Sequence, residues 1–223
     1  MVSGQIVNLS FHGVGKPPGP PREPGEHEYW VGRDAFLCVL DEVQGRDDVR
    51  LSFDDGNASD VEVALPALVE RGMTADFFVV AGRLGTPGNL DPGGVRALQI
   101  AGMGVGTHGM DHRSWRGLTD EDLAVELVEA RDVITEAAGS AVDTAALPLG
   151  DYDRTVLAAL RKVGYRVVYS SDARRARSGE WFQPRYSVRA GDTPQSLRDT
   201  VFARPRTYER LRGTLAGIAK RWR

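Results

Sequence analysis

Two short stretches of this chain carry side chains that could hold a metal ion and set it to work on water: Ser52-Phe53-Asp54-Asp55-Gly56 and Thr107-His108-Gly109-Met110-Asp111-His112. Imidazoles at i and i+4 fall on one side of a helical turn, close enough to grip the same ion. A carboxylate from the acidic pair would complete three protein ligands and leave one coordination position for water, the layout of a hydrolytic metal site. The chain contains only four histidines, and two of them form this pair. Either motif alone is common, because adjacent acids before a glycine suit many turns and His-x-x-x-His suits many solvated helix faces. Together, and bordered by Gly56, Gly106 and Gly109, which permit close backbone approach, they point to metal-dependent hydrolysis.

Such residues need elements to position them. Residues 6–11 read as a strand ending at His12, and 49–53 as an alternating strand that delivers Asp54 and Asp55 to its C-terminal end. The apolar run over 75–80 suits a strand covered on both faces, and 103–107 a brief strand ending at His108. Helices are expected over 34–43, over 59–71 with Ser59 or Asp60 as cap and a kink at Pro66, and over 91–102 after Asp91-Pro92. The longest runs from Thr119 to Gly139, and another over 151–163 precedes a strand at 166–169. This alternation implies parallel strands with helical crossovers, hence an α/β barrel or open sheet, folds whose chemistry gathers at strand C-terminal ends. His12, Asp54, Asp55, His108 and Pro148 all fall there. Residues 16–25, rich in proline and glycine, read as an exposed loop.

Composition narrows the class. The 223 residues suit one domain spanning 1–223, and 41% hydrophobic with 26% charged residues is ordinary for a soluble globular protein. A formal net charge of −3 gives no electrostatic reason to expect nucleic acid as a partner. Cys38, the single cysteine, lies in an apolar run and reads as a buried, inert thiol. No basic-then-apolar leader opens the sequence and no stretch is long and apolar enough to span a bilayer, so the expected location is cytoplasmic. Oligomeric state is not legible.

Phe53-Asp54-Asp55-Gly56, then His-x-x-x-His, then a proline-glycine loop after the next helix resembles the polysaccharide deacetylases, carbohydrate esterase family 4, over roughly residues 50–170. The resemblance implies a distorted, incomplete (β/α) barrel. It implies that Asp55, His108 and His112 bind a divalent ion, zinc or else cobalt, nickel or manganese, and that Asp54 is the catalytic base. The reaction implied is removal of an acetyl group from an N-acetylated amino sugar in a glycan or glycan precursor. The chain departs from the family pattern in three places. Where the family's third motif has Arg-x-Pro-x-Gly, this chain reads Ala146-Leu147-Pro148-Leu149-Gly150. The base-orienting arginine is therefore missing, with Arg113 and Arg185 as candidates to replace it, while the backbone N–H of Leu149 could still serve as oxyanion donor. Gly109 stands where Ser or Thr is usual. No C-terminal Leu-x-His motif is present; the resemblance to permuted relatives with an N-terminal histidine assigns the acid role to His12, and His27, in Glu26-His27-Glu28, reads as solvated surface.

Trp115 could wall the substrate site or simply pack in the core, and Asp172 follows a strand where the family often has an acid near the cleft. Over about 207–223, Leu211, Leu215, Ile218 and Trp222 share a helical face flanked by basic residues, which suits packing on the barrel or peripheral contact with an anionic membrane. Two rival functions stand beside deacetylation: hydrolysis of another non-peptide carbon–nitrogen bond, and a glycan-binding domain without catalysis.

Overall fold

The computed structural model describes residues 4–203, so the basic amphipathic segment at 207–223 and its membrane contact lie outside the described residues. In chain order the elements are β1 (Gln5–Phe11), β2 (Gly13–Val14), β3 (Trp30–Val31), α1 (Arg33–Val43), β4 (Val49–Phe53), α2 (Leu65–Glu70), β5 (Asp76–Val79), α3 (Pro92–Ile100) and β6 (Gly104–Thr107). They continue with α4 (Asp120–Ala124), α5 (Ala130–Ala138), β7 (Thr144–Ala146), α6 (Arg154–Val163), β8 (Val167–Ser170), β9 (Ala176–Arg177), β10 (Phe182–Pro184), β11 (Tyr186–Ser187) and α7 (Pro194–Leu197). The principal sheet runs β10-β8-β7-β6-β5-β4-β1-β11, and every pairing along it is parallel.

One residue, Arg185, separates β10 from β11. The first half of this bent strand pairs Phe182 with Val168 and Pro184 with Ser170, and the second pairs Leu9 with Tyr186 and Ser10 with Ser187. The two ends of the sheet are thus halves of one segment, and the sheet rolls into a nearly closed barrel. It is distorted and incomplete, as expected, since no helix separates β8 from β10.

The two faces of the strands differ sharply. Outward-facing Val7, Leu9, Phe11, Leu51, Phe53, Phe77 and Val79 pack with Phe36, Val39, Leu40, Leu68, Val95, Leu98 and Ile134 of the helical layer. Phe11, Phe53 and Phe77 form a stacked row with centroids 5.2 and 4.7 Å apart, in step with the register Phe11–Phe53–Phe77. A second cluster around Trp115, Leu123, Leu127, Val156, Leu160 and Val168 seals the other flank. The barrel interior is polar: Asn8 donates to Gln183 (3.1 Å), Ser10 meets Ser187 (3.2 Å), and Tyr169 donates to Asp76 (3.1 Å). Alternation along β1 follows directly, with Asn8 and Ser10 inward and Val7, Leu9 and Phe11 outward.

Several sequence expectations need correction. Neither Ser59 nor Asp60 caps a helix; the Ser59 hydroxyl accepts from the Val14 N–H (3.2 Å), and the buried Asp60 carboxyl has no hydrogen-bond partner on either oxygen. A π turn at Asp60–Ala64 leads into α2, so the widened turn, rather than a sharp kink, accommodates Pro66. The helix expected from 151 starts at Arg154, capped by Asp153, because Asp151 (φ −100°, ψ 125°) and Asp153 (φ −139°, ψ −172°) keep the backbone extended up to that point. Cys38 is exposed: helical spacing turns Phe36, Val39, Leu40 and Val43 inward and leaves position 38 outside. Asp91 and Thr119 do cap their helices, accepting from the N–H groups of Gly94 and Asp122. Among the described residues no helix is long and apolar enough to cross a membrane.

Candidate active site

At the C-terminal rim of the barrel the ends of β1, β4, β6 and β7 supply His12, Asp54 with Asp55, His108, and Leu147 through Leu149. They border a cavity of about 520 Å³, which Arg185 and Tyr29 also line. That volume lies within the range of small-molecule sites, roughly 300–1,000 Å³.

Backbone strain is concentrated here. Among the described residues four non-glycine positions have positive φ, namely Asp55 (76°), His112 (54°), Leu149 (58°) and Ala173 (50°), and all four line the cavity. Left-handed backbone costs an L-residue on the order of 1–2 kcal/mol, so it persists only where surrounding structure enforces it. At Asp55 and Leu149 it turns the chain sharply beyond a strand end, at positions where both residues line the cavity.

Asp55, His108 and His112 offer one donor atom each, all within 4.8 Å of one another. The His112 Nε2 lies 3.3 Å from Asp55 Oδ1, and His108 Nε2 3.9 Å from the same oxygen. The two histidines do not sit on a helical turn as their spacing suggests. Residues 108–112 form an irregular loop in which Gly109 (φ 83°) and His112 both take left-handed conformations, bringing the rings to a centroid distance of 4.9 Å. A Cβ at Gly109 would collide with the Glu126 carboxylate, which accounts for glycine here.

The tautomers follow from the hydrogen bonds. His108 Nδ1–H donates to the Ala146 carbonyl (2.9 Å), and His112 Nδ1–H donates to Glu23 Oε1 (2.5 Å). A carbonyl and a carboxylate only accept, so both Nδ1 atoms are protonated and both Nε2 atoms face the cluster. Burial, together with the neighbouring His112, lowers the His108 pKa to about 4 against the pull of Asp54 and Asp55, so its imidazole is neutral near pH 7. The buried Asp55 Oδ1 has no hydrogen-bond partner. An orphaned carboxylate oxygen facing two imidazole Nε2 atoms is a donor set that a divalent transition ion fits.

Asp54, 2% exposed, takes a different role from its neighbour. Arg185, itself 1% exposed, clasps it with two parallel bonds, Nη1 to Oδ1 and Nη2 to Oδ2, both 2.7 Å, and reaches Ser52 Oγ at 3.0 Å. Burial pushes the Asp54 pKa up, but Arg185, His108 and His12 outweigh it and hold the carboxyl well below the usual carboxylate range. Its Oδ2 stands 3.8 Å from His12 Nε2 and 4.0 Å from His108 Nε2. His12 is held by the Tyr29 ring, 4.8 Å away, and its Nδ1 is buried without a partner.

Of the two cations considered for orienting Asp54, Arg185 stands beside it and Arg113 does not. Arg113 pairs with Glu126 (2.8 Å) and Asp122 (3.0 Å). Trp115 does not wall the cavity: it is 0% exposed in the second core cluster, donating to Glu126 at 3.1 Å. Asp172 accepts from the Tyr152 hydroxyl (2.7 Å), while its neighbours Ser171 and Ala173 line the cavity. His27 is exposed.

Sequence reasoning missed Glu23 and Glu126. Fully buried Glu126 accepts from the Met110 N–H (2.7 Å), Trp115 and Arg113, pinning the loop between the two histidines. A glutamate on an otherwise apolar helix face was the available signal. Glu23, in the loop read as merely exposed, left no such trace.

A family model described as polysaccharide deacetylase matches residues 41–168, more than half of the chain. Among curated proteins, one named "Putative polysaccharide deacetylase YxkH", from Bacillus subtilis (strain 168), is 23% identical over 158 residues, which are 66% of this chain and 57% of that protein. The chain therefore spans little more than half the length of that relative. Among solved structures, Streptococcus pyogenes deacetylase PplD in complex with acetate has a TM-score of 0.79 at 19% identity, covering 92% of this chain and all of that one. IcaB from Ammonifex degensii has a TM-score of 0.71 at 23% identity, covering 90% and 99%. At such identities these likenesses establish the fold.

Proposed function

Since the chain belongs to the polysaccharide deacetylase family, we propose that it is a metal-dependent hydrolase that removes the acetyl group from an N-acetylated amino sugar of a glycan or glycan precursor. The observation that carries this reading is the convergence of the Asp55, His108 and His112 donor atoms beside an ionised, arginine-clasped Asp54 in one cavity. Zinc is the ion we favour, on the mixed nitrogen and oxygen donor set.

An acetamide is a poor electrophile, so hydrolysis needs an activated water, a stabilised oxyanion and a protonated leaving amine. When bound, a divalent ion supplies Lewis acidity, lowering the pKa of water from 15.7 to about 7 and polarising a carbonyl. Asp54 receives the water proton at Oδ2, the oxygen that faces His12 and His108. Because Arg185 keeps it anionic, Asp54 is always ready to accept, although it is a weak base. Arg185 thereby fills the place of the arginine missing at Ala146. The Leu149 N–H, turned by its φ of 58°, donates to the carbonyl oxygen as negative charge develops. His12 gives its Nε2 proton to the departing nitrogen as the C–N bond breaks, yielding acetate and the free amine.

The test combines elemental metal analysis of the purified protein with acetate release from N-acetylglucosamine oligomers and monosaccharide derivatives. We expect one equivalent of metal and acetate release abolished by chelation. Metal without acetate release from any amino sugar would point to another carbon–nitrogen bond, and a protein that takes up no metal would overturn hydrolysis altogether.

A further inference from the structure

We infer that Glu23 is a positioning residue of the metal site, and that the proline- and glycine-rich loop carrying it is a working part of that site rather than a passive surface connection. The inference rests on the metal-site reading above. Glu23 Oε1 accepts from His112 Nδ1 at 2.5 Å, and the same oxygen accepts from Arg83 Nη2 at 2.8 Å. The opposite nitrogen of that imidazole faces Asp55 at 3.3 Å. Carboxylate, imidazole and ligand cluster therefore stand in line, an arrangement that fixes the tautomer, orients the ring and makes Nε2 a stronger donor. Imidazole left alone in water divides its proton between the two nitrogens, so without Glu23 part of the His112 population would carry the proton on Nε2 and be unable to ligate.

The loop is built to deliver this carboxylate. Arg22, the preceding residue, donates to Asn57 Oδ1 and Asn89 Oδ1, each at 2.8 Å, and pairs with Glu26. Asn57 in turn donates to the His12 carbonyl at 2.6 Å, tying the loop to the β1 end of the site. Pro18 packs against Gly88 so closely that a Cβ there would overlap its ring. Anchors on both sides of Glu23 leave its carboxylate little freedom. Arg83 balances its charge through the same oxygen, so the glutamate can face a cation site without going unpaired.

The experiment is a competition titration of metal-free, full-length protein with Zn²⁺ against a chromophoric chelator, for wild type, E23A and E23Q. We expect E23A to bind zinc about 10–100-fold more weakly, the loss typical when an outer partner of a ligating histidine is removed. E23Q, whose amide oxygen can still accept the Nδ1 proton, should keep most of the affinity. Long-range ¹H–¹⁵N spectra of metal-free protein give a readout that a merely structural role would not move: His112 as the Nδ1–H tautomer in wild type, and a mixture in E23A. Wild-type zinc affinity and an unaltered tautomer in folded E23A would overturn the proposal. Absence of zinc binding by the wild type would instead overturn the metal reading, and the proposal with it. Should E23A not fold, E23Q decides, because a tautomer mixture and a loss as deep as 100-fold there would contradict the acceptor role.

Discussion

The two sides of the cavity are built by different means. On one side Asp54, Asp55, His108 and Leu149 follow the ends of β4, β6 and β7, parallel strands of one sheet held in fixed register with β5 between β4 and β6. On the other, His12, Glu23, Tyr29 and Arg185 come from the irregular stretch that follows β1 and from the bend between β10 and β11. On the proposed reading, two of the three metal donors, Asp55 and His108, follow strand ends directly and the third, His112, sits in the loop beyond β6, while the irregular side would orient, neutralise and protonate. The division is physical: hydrogen-bonded strand ends fix a backbone to fractions of an ångström, which ligation demands, whereas a group that acts through a hydrogen bond needs only one well-placed anchor. On that reading, replacing a ligating side chain removes the ion, replacing His12 or Arg185 leaves the ion and removes its effect, and Glu23, which acts on the ion through His112, weakens its hold without abolishing it.

The largest effect should come from the strand side. Replacing His108 by alanine removes a buried donor whose Nδ1 is already engaged with Ala146. Metal content should fall from one equivalent to none by elemental analysis, with acetate release at background. Stoichiometric metal in this variant would break the comparison, because an irregular-side group would then be ligating. His12→Ala is the matching test across the cavity. Loss of a general acid typically costs 10²–10⁴-fold, and kcat should drop by about that amount while metal content stays at the wild-type value. A fall in metal content would reassign His12 from acid to ligand.

Next in size is the arginine clasp. Arg185 and Asp54 are both buried and paired through two bonds, and removing one partner of such a pair costs roughly 3–5 kcal/mol because the other charge is left uncompensated. Arg185→Met should lower stability by about that much in urea denaturation. The double variant Arg185→Met with Asp54→Asn, which leaves no stranded charge, should recover part of the loss. A single variant as stable as wild type would mean that other groups neutralise Asp54, and the irregular side would lose its chief electrostatic role.

The same division decides what could be read from sequence. Ligands on strand ends announce themselves locally, because Asp54-Asp55-Gly56 and His108-x-x-x-His112 each lie within five residues and follow alternating strands. Even there the local geometry was misread: the i, i+4 spacing suggested a helix, yet Gly109 at φ 83° makes the pair a loop. Barrel closure was not legible, since β10 and β11 are three and two residues long and carry no periodic signal. Arg185 sits 131 positions from Asp54, and Glu23 sits 89 from His112. Nothing in the neighbourhood of either residue marks it. Arg185 could be suspected only from the arginine missing at Ala146, an absence that asks for a cation without saying where. Glu23 was concealed by its loop, whose prolines and glycines signal irregular backbone whether or not that backbone is anchored.

The smallest effect sharpens the comparison by asking whether the ordered side carries an electrostatic penalty of its own. Asp60, in the π turn after β4, is fully buried with no hydrogen-bond partner on either oxygen. Burial, and after it the charges of Asp55 and Asp54, raise its pKa well above the ordinary 3.8. Between those two values the native state keeps a proton that the unfolded chain has released, so stability is greatest below the unfolded pKa and declines as pH rises toward the folded one. Asn carries no such linkage. Thermal midpoints of metal-free wild type and Asp60→Asn should therefore lie close together near pH 4, and the variant should gain on wild type toward pH 8. At this chain length each kcal/mol corresponds to about 2–4 °C, so a separation of a few degrees is expected. Asp76, whose pKa burial also raises, is common to both proteins and cancels from the difference. Parallel curves across that range would mean that Asp60 is ionised in the native state and has a partner, and the strand side would then be electrostatically balanced without help from across the cavity.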